Sequence, residues 1–444
     1  MLAIALAFVL AYRDLVRDPV PPRGAPAMAA WLARHPADWL TATQLTEAAL
    51  DSPIPRRVEL WRAAYALART AAPRSGGPMI AFVRSGLFHW YELGLADRGA
   101  VLASAAPLMR DPQIFEELHG PLWELTHDLE WLRRNAPGSV SALDQLRTIA
   151  AANGRFEDYR ALRAEIRRQR LAAFETTRAS LAAQDLPQLL PRRIETEDEP
   201  LVRHILAELK HRSFEPEHFG EPTAAMIEYA LRHHLPVDGL MPFVEAQQGL
   251  PPFTRARLAL ALGNPDAATN IELTETVSNS PEWQTYHLER AELEARRGDA
   301  PAANHHLAAV MLVRRDLEVL DTAVRVAAAL REDAAAAQLR RQLHALSGAP
   351  RPWEGTCGNN ELCGAAHAVI RTQGEPVRIT AAALRPDQIA PYVEIFADDA
   401  RVAEGEVSAQ RHFTIALPAG LHRLEVRLVN PRMANGAQRR VRLS

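Results

Sequence analysis

The sequence predicts an α+β chain in which an all-α helical-repeat region is followed by a C-terminal antiparallel β-sandwich. Three observations predict it. From about residue 27 to 346, apolar residues recur three and four positions apart, the spacing of a helix with one buried face. Within that stretch a helix–turn–helix unit repeats every 34 to 35 residues. Beyond residue 350 the apolar period becomes two, the spacing of a strand.

Composition narrows the classes. A chain of 444 residues is too long for one core and fits two to four domains at roughly 100–200 residues each. Hydrophobic residues at 48% and charged residues at 24% exclude a wholly disordered or polytopic chain. A net charge of −3 lacks the basic field of a nucleic-acid binder. Lys210 is the only lysine, so arginine carries nearly all positive charge; no mechanism follows from that. Two cysteines exclude a disulfide-rich scaffold and a four-cysteine zinc site.

The chain opens on an unbroken apolar run, Leu2 to Tyr12, followed by Arg13, Arg17 and a proline-rich stretch. Eleven helical residues rise only about 16 Å, against about 30 Å of hydrocarbon. Residues 1–20 are expected to be a membrane anchor or uncleaved signal, an anchor being completed by residues upstream. The alternative is an amphiphilic first helix packed on the body. Arginines placed after the run favour a cytoplasmic body on the positive-inside rule, which conflicts with the cysteine reading below.

Residues 27–346 are expected to form the helical-repeat domain. Leu143, Leu146 and Ile149 make one apolar stripe, opened by Ser141 with Asp144 three residues later, a capping-box-like start. Asn153-Gly154 closes that helix, and Phe156, Tyr159, Leu162 and Ile166 begin the next stripe. The unit recurs in LALALGNPDAA around Gly263, in ELEARRGDAPAA around Gly298 and in AALREDAAAA around Glu332. Ala256 and Ala291 take a small site seven residues before the turn glycine. Ala268 and Ala303 take the small site of the second helix, with Leu307 four beyond. On these positions the region resembles the tetratricopeptide repeat, most clearly over 250–345, although its aromatic and proline positions are mostly absent. The resemblance implies a curved stack with a protein partner on its concave face; a plain spacer is the alternative. Breaks fall at Pro187–Arg193 and Ser213–Pro222. The acidic run Glu195 to Glu199 reads as a solvated loop or a helix start.

Residues 347–356 read as a linker and 357–444 as the sandwich. Val377 to Ile379 begins a strand. Tyr392 to Ala397 alternates, with Val393 and Ile395 on one face and Tyr392, Glu394 and Phe396 on the other. Asp398-Asp399 turns the chain. Phe413, Ile415 and Leu417 alternate again, Pro418 to Gly420 turns, and Leu424, Val426 and Leu428 form an inward row. The outward row of Arg423, Glu425 and Arg427 is expected to pair across strands.

The stretches YVEIFADDARVAEGEV, FTIALPAGLHRLEVRLVNP and NGAQRRVRL resemble the calcium-dependent xylan-binding carbohydrate modules, over about 375–443. The resemblance implies a sugar-binding sandwich. It departs where the modules hold calcium, since Asn430, Asn435 and Gln438 offer only neutral oxygens beside Arg432, Arg439 and Arg440; no metal is expected, because calcium prefers carboxylates. A calcium-free sugar site would need an aromatic face and planar polar groups. Its candidates are Trp353, Tyr392 and Phe396 with Asn430, Asn435 and Arg439. The competing expectation is that Tyr392 and Phe396 cover a second sheet or the helical domain.

Cys357 and Cys363 lie close together in a Gly/Asn-rich loop and are expected to form a disulfide in an oxidising compartment, a redox or half-metal site being the alternative. His233-His234 and His305-His306 are adjacent pairs whose rings diverge on a helix, so they are expected to face solvent or to pack. No HExxH, GxSxG or GxxxxGK[ST] occurs. No cofactor and no catalytic residue is therefore expected. The reading is a non-catalytic, periplasmic or extracytoplasmic scaffold tethered to the inner membrane through its N-terminus, which binds protein or polysaccharide in exopolysaccharide production or export. A purely protein-binding adaptor and a glycan-active hydrolase or lyase are the alternatives, paired carboxylates not being readable from spacing.

Overall fold

The computed structural model describes residues 23–246, 248–275, 280–347, 353–358, 360–384, 389–432 and 438–444. The apolar run at the start, half of the linker (348–352) and Asn435 lie outside them. The fold is α+β: helices, then two antiparallel sheets. Among the described residues no helix is long and apolar enough to cross a membrane.

The chain divides into two compact units, Met1–Thr148 and Ile149–Ser444. The first contains α1 (Ala25–Leu32), α2 (Trp39–Ala48), α3 (Arg57–Ala71), α4 (Gly77–Phe88), α5 (Leu95–Leu108), α6 (Pro112–Thr126) and α7 (Leu129–Asn135). Asp38 shows why α2 starts where it does. Its carboxylate accepts from the Thr41 amide at 3.1 Å and from the Trp31 indole at 2.9 Å, satisfying an otherwise orphaned helix-start donor. Trp61 of this unit is fully buried, stacked on Phe82 and donating to Ser85 Oγ at 2.9 Å.

α8 (Val140–Ala152) carries the chain onward. Its cap is Ser139, whose hydroxyl accepts from the Ala142 amide at 3.3 Å; the start expected at Ser141 lies already inside the helix. The second unit continues with α9 (Phe156–Thr177), α10 (Glu199–Leu209), α11 (Glu221–Arg232), α12 (Met241–Glu245), α13 (Pro252–Ala261), α14 (Pro265–Thr274), α15 (Pro281–Arg297), α16 (Ala300–Met311), α17 (Leu317–Ala329) and α18 (Asp333–Ser347).

The same turn joins several of these pairs. An amide reaches back five residues to a carbonyl from Arg155 to Ala150, Asn264 to Ala259, Asp299 to Glu294 and Glu332 to Ala327, at 2.8–2.9 Å, as in a Schellman closure. Such closures need one left-handed residue. Gly154, Gly263 and Gly298 supply it, and Arg331 does so in the last copy, at φ 60°. Asn264 and Asp299 then cap the following helices. Ala256, Ala268, Ala291 and Ala303 are all fully buried, so helix pairs approach closely at the small positions the repeat singles out.

A second close approach sets a test of packing. A methyl group added at Gly239, in the turn after α11, would lie 2.4 Å from the Cα of Lys210, and backbone cannot swing aside. Gly239→Ala is expected to cost about 1–3 kcal/mol by overpacking, read as a lowered urea midpoint. Gly120→Ala, with open space around its added methyl, should be neutral or slightly stabilising.

The strands are β1 (Glu361–Leu362), β2 (Ala365–Thr372), β3 (Val377–Ala383), β4 (Tyr392–Ala397), β5 (Ala400–Glu406), β6 (Gln410–Ile415), β7 (Gly420–Leu428) and β8 (Val441–Leu443). One sheet runs β1-β8-β3-β6 and the other β2-β7-β4-β5. Ile379, Phe413 and Val441 of the first share a buried apolar cluster with Val393, Ile395 and Val426 of the second. Asp398 and Asp399 both take positive φ, 49° and 66°, the backbone of a type I′ hairpin turn. Cys357 and Cys363 are disulfide-bonded, with Cα atoms 6.2 Å apart.

Every residue of β4 is buried. A strand has two faces, and here both are covered. Val393, Ile395 and Ala397 enter the cluster shared by the sheets, while Tyr392 and Glu394 meet α9. The second sheet therefore lies against helices of its own unit. The break between compact units falls inside the helical part, and the change of periodicity near residue 350 is internal to the second unit.

Candidate functional site

Alternating residues of β4 and β7 meet α9 and the acidic turn before α10 through a dense set of charges. Tyr159 donates to Glu394 at 3.0 Å, and Arg163 bonds Glu394 and, at 3.0 Å, Glu404. Glu195 is the hub. It accepts from Arg401 and Arg427, each at 2.6 Å, and from Arg167. Asp198 accepts from Arg167 at 3.1 Å and from the Glu195 amide at 3.0 Å, which also starts the helix. Burial alone would raise the Glu195 carboxyl, but Arg401, Arg167 and Arg427 outweigh it and hold it below its ordinary range. Asp198 is pushed up, by burial first and with Glu195 adding to it.

This settles one open reading and overturns one expectation. The acidic run does start a helix, but Glu195 and Asp198 are buried in ion pairs rather than solvated. The outward row of β7 does not pair across strands. Arg423 reaches Glu318 of α17, Arg427 reaches Glu195, and Glu425 pairs with Arg427 two residues on and with Arg193. Charges facing a helical wall find partners there, because an unpaired buried charge is costly.

The residues expected to take a sugar are used internally. Tyr392 is 1% exposed and stacks on Phe156, ring centroids 4.3 Å apart. Phe396 is 1% exposed beneath the guanidinium of Arg427, 3.8 Å from its centroid. Asn430, 3% exposed, accepts from the Tyr392 amide at 2.8 Å and donates to the Ala390 carbonyl at 3.0 Å. Arg439 is fully buried and donates to the carbonyls of Ile389 and Asn430, each at 3.1 Å, and of Arg432. Trp353 is half-buried against the strand cluster, and Asn435 lies outside the described residues. Tyr392, Phe396, Asn430 and Arg439 are therefore almost fully buried: Tyr392 packs on α9, Phe396 lies beneath Arg427 in the wall of the cleft described next, and Asn430 and Arg439 hold the loops.

What the packing leaves open is a cleft of about 790 Å³ between the helices and the second sheet. Arg193, Arg232 and Arg315 line its helical side, and Asp399, Arg423 and Glu425 its sheet side. A second hollow of about 530 Å³ adjoins it and shares Arg232, Glu318, Asp398 and Arg423. Most of these charges are bridged across the cleft: Arg232 and His233 to Asp399, Arg423 to Glu318, Arg193 to Glu425. Arg193 remains a cation at neutral pH, with a smaller margin than a free arginine. Burial, with the neighbouring charge of Arg427, lowers its pKa to about 10. Arg315 makes one long bond, to the Met311 carbonyl at 3.4 Å. The trough is therefore lined by paired arginines and carboxylates, with the planar guanidinium of Arg315 the least satisfied of the arginines named, a group that suits carboxylate or polyol oxygens.

Sequence reasoning also missed a cluster in the helical repeats. Glu272, His287 and His306 bring one ligand atom each within 4.8 Å of one another. His305 is exposed, as the divergence of adjacent rings requires, whereas His306 is buried and its Nδ1 lies 2.9 Å from Nδ1 of His287. Burial pushes the His287 imidazole down to about 4 and lowers His306 as well. Only the packing of consecutive helices could have revealed this trio. Comparison of the chain with protein-family models, with curated proteins and with solved structures gives no match.

Proposed function

We propose that this chain is a non-catalytic scaffold of the bacterial envelope that holds an acidic polysaccharide in its charged trough. In this reading the helices are a tetratricopeptide-like stack, and the sheets are a carbohydrate-module-like sandwich docked on it. The observation that carries the reading is the trough itself, two adjoining hollows lined by arginines and their carboxylate partners from both elements. An extended groove suits a polymer, and forked guanidinium groups suit uronate carboxylates. The Cys357–Cys363 disulfide supports an oxidising compartment, and the work would lie in exopolysaccharide production or export.

Affinity electrophoresis of the full chain in polygalacturonate and in neutral xylan tests this. Retardation by the acidic polymer is expected, weakening as salt screens the exposed charges. Arg193→Ala with Arg315→Ala should weaken it about tenfold, the value of one charged hydrogen bond. No retardation by polygalacturonate would remove the polysaccharide reading. The second reading, a protein-binding adaptor, is favoured by the burial of Tyr392, Phe396, Asn430 and Arg439, which leaves the sheets as a docking element.

A further inference from the structure

We propose that Glu272, His287 and His306 bind a divalent first-row transition ion, Zn²⁺ being the best-suited probe, which staples three consecutive helices of the repeat region. The ligands come from α14, α15 and α16. Nδ1 of His287 and Nδ1 of His306 are 2.9 Å apart and lie 3.8 and 3.7 Å from Oε1 of Glu272. A point equidistant from these three atoms lies about 2.0 Å from each, the length of Zn–N and Zn–carboxylate bonds. An ion slightly off their plane completes its shell with a further ligand, as three-ligand zinc sites do.

The surroundings fit a metal site better than a chance contact of side chains. Tyr286, fully buried, donates to Oε2 of Glu272 at 2.8 Å, fixing the carboxylate with Oε1 towards the rings, as outer-shell partners do. His287 and His306 are 4% and 8% exposed. Trp283 lies against His287, ring centroids 4.4 Å apart. Glu272 is only half-buried, which leaves an entry path. The nearby cation Arg290 is offset by Glu294 at 2.8 Å. Without an ion, two facing Nδ1 atoms can share only one proton, whereas a cation takes both lone pairs. Imidazole and carboxylate together suit zinc and its neighbours rather than magnesium or calcium.

The site is independent of the trough and of what the trough binds. The test uses the full chain without an affinity tag, stripped by a chelator and titrated with Co²⁺. A visible d–d band saturating at one equivalent and displaced by Zn²⁺ is expected, with a rise in melting temperature of roughly 5 °C or more at saturating Zn²⁺. His287→Gln and His306→Gln should weaken binding at least tenfold, and His305→Ala should leave it unchanged. Glu272→Gln, at a half-exposed position and still able to accept from Tyr286, should weaken binding comparably and provides a variant expected to fold. Absence of a saturable band in the unaltered protein would overturn the proposal. So would one-equivalent binding that survives Glu272→Gln and either histidine variant.

Discussion

Glu195→Ala is expected to destabilise the second unit by about 3–5 kcal/mol, the cost of removing one partner from a buried ion pair. Glu195 faces the guanidiniums of Arg167, Arg401 and Arg427. Its loss leaves three cations crowded between α9 and the second sheet. Urea denaturation of the full chain at pH 7 measures the cost, and Glu195→Gln separates charge from shape. The pH dependence follows from the direction of the shift. The folded carboxyl is held below its ordinary value, so its stabilisation is present above the unfolded pKa of about 4.3. It is lost as pH falls through the folded value. Asp198, raised in the fold, acts in the opposite sense, since its protonation on acidification relieves the fold. Glu195→Ala should therefore lose less stability than the unaltered chain does as pH falls below about 4.3. A change at pH 7 below about 1 kcal/mol, the range of surface ion pairs, would show that the network contributes little.

Arg439→Ala is expected to cost about 3–5 kcal/mol, on the scale of deleting a large buried side chain. Its guanidinium ties the carbonyls of Ile389, Asn430 and Arg432, and the substitution removes these bonds. A sugar-contacting arginine in an open site would behave differently, its replacement abolishing binding at little cost to stability. Thermal unfolding and polysaccharide retardation measured on the same variant distinguish the two roles. An unchanged melting temperature would return Arg439 to the list of candidate ligands.

Much of the local structure was legible in the sequence. The change of apolar period near residue 350 marks where helices end and strands begin, because a helix and a strand bury different spacings of the same residue types. Gly263 and Gly298 mark turns because they take the left-handed backbone a helix closure needs. The small residues before and after them are buried because helices cross there. Tyr392, Glu394 and Phe396 were placed on one face of their strand. That this face is covered by helices was one of two open readings, since alternation separates the faces of a strand without saying what covers either.

What the sequence by itself determined is local: the order of helices and strands, the turns, the buried small positions and the nearness of two cysteines. These depend on contacts within a few residues. Only the tertiary structure decided which charges are paired and which groups converge. Glu195 meets Arg427, 232 positions away, and His306 meets His287 from the preceding helix, 19 positions away. The physical reason is the reach of the forces. Backbone hydrogen bonds and side-chain spacing act along the chain, whereas ion pairs and ligand sets act through space, between segments that packing alone brings together.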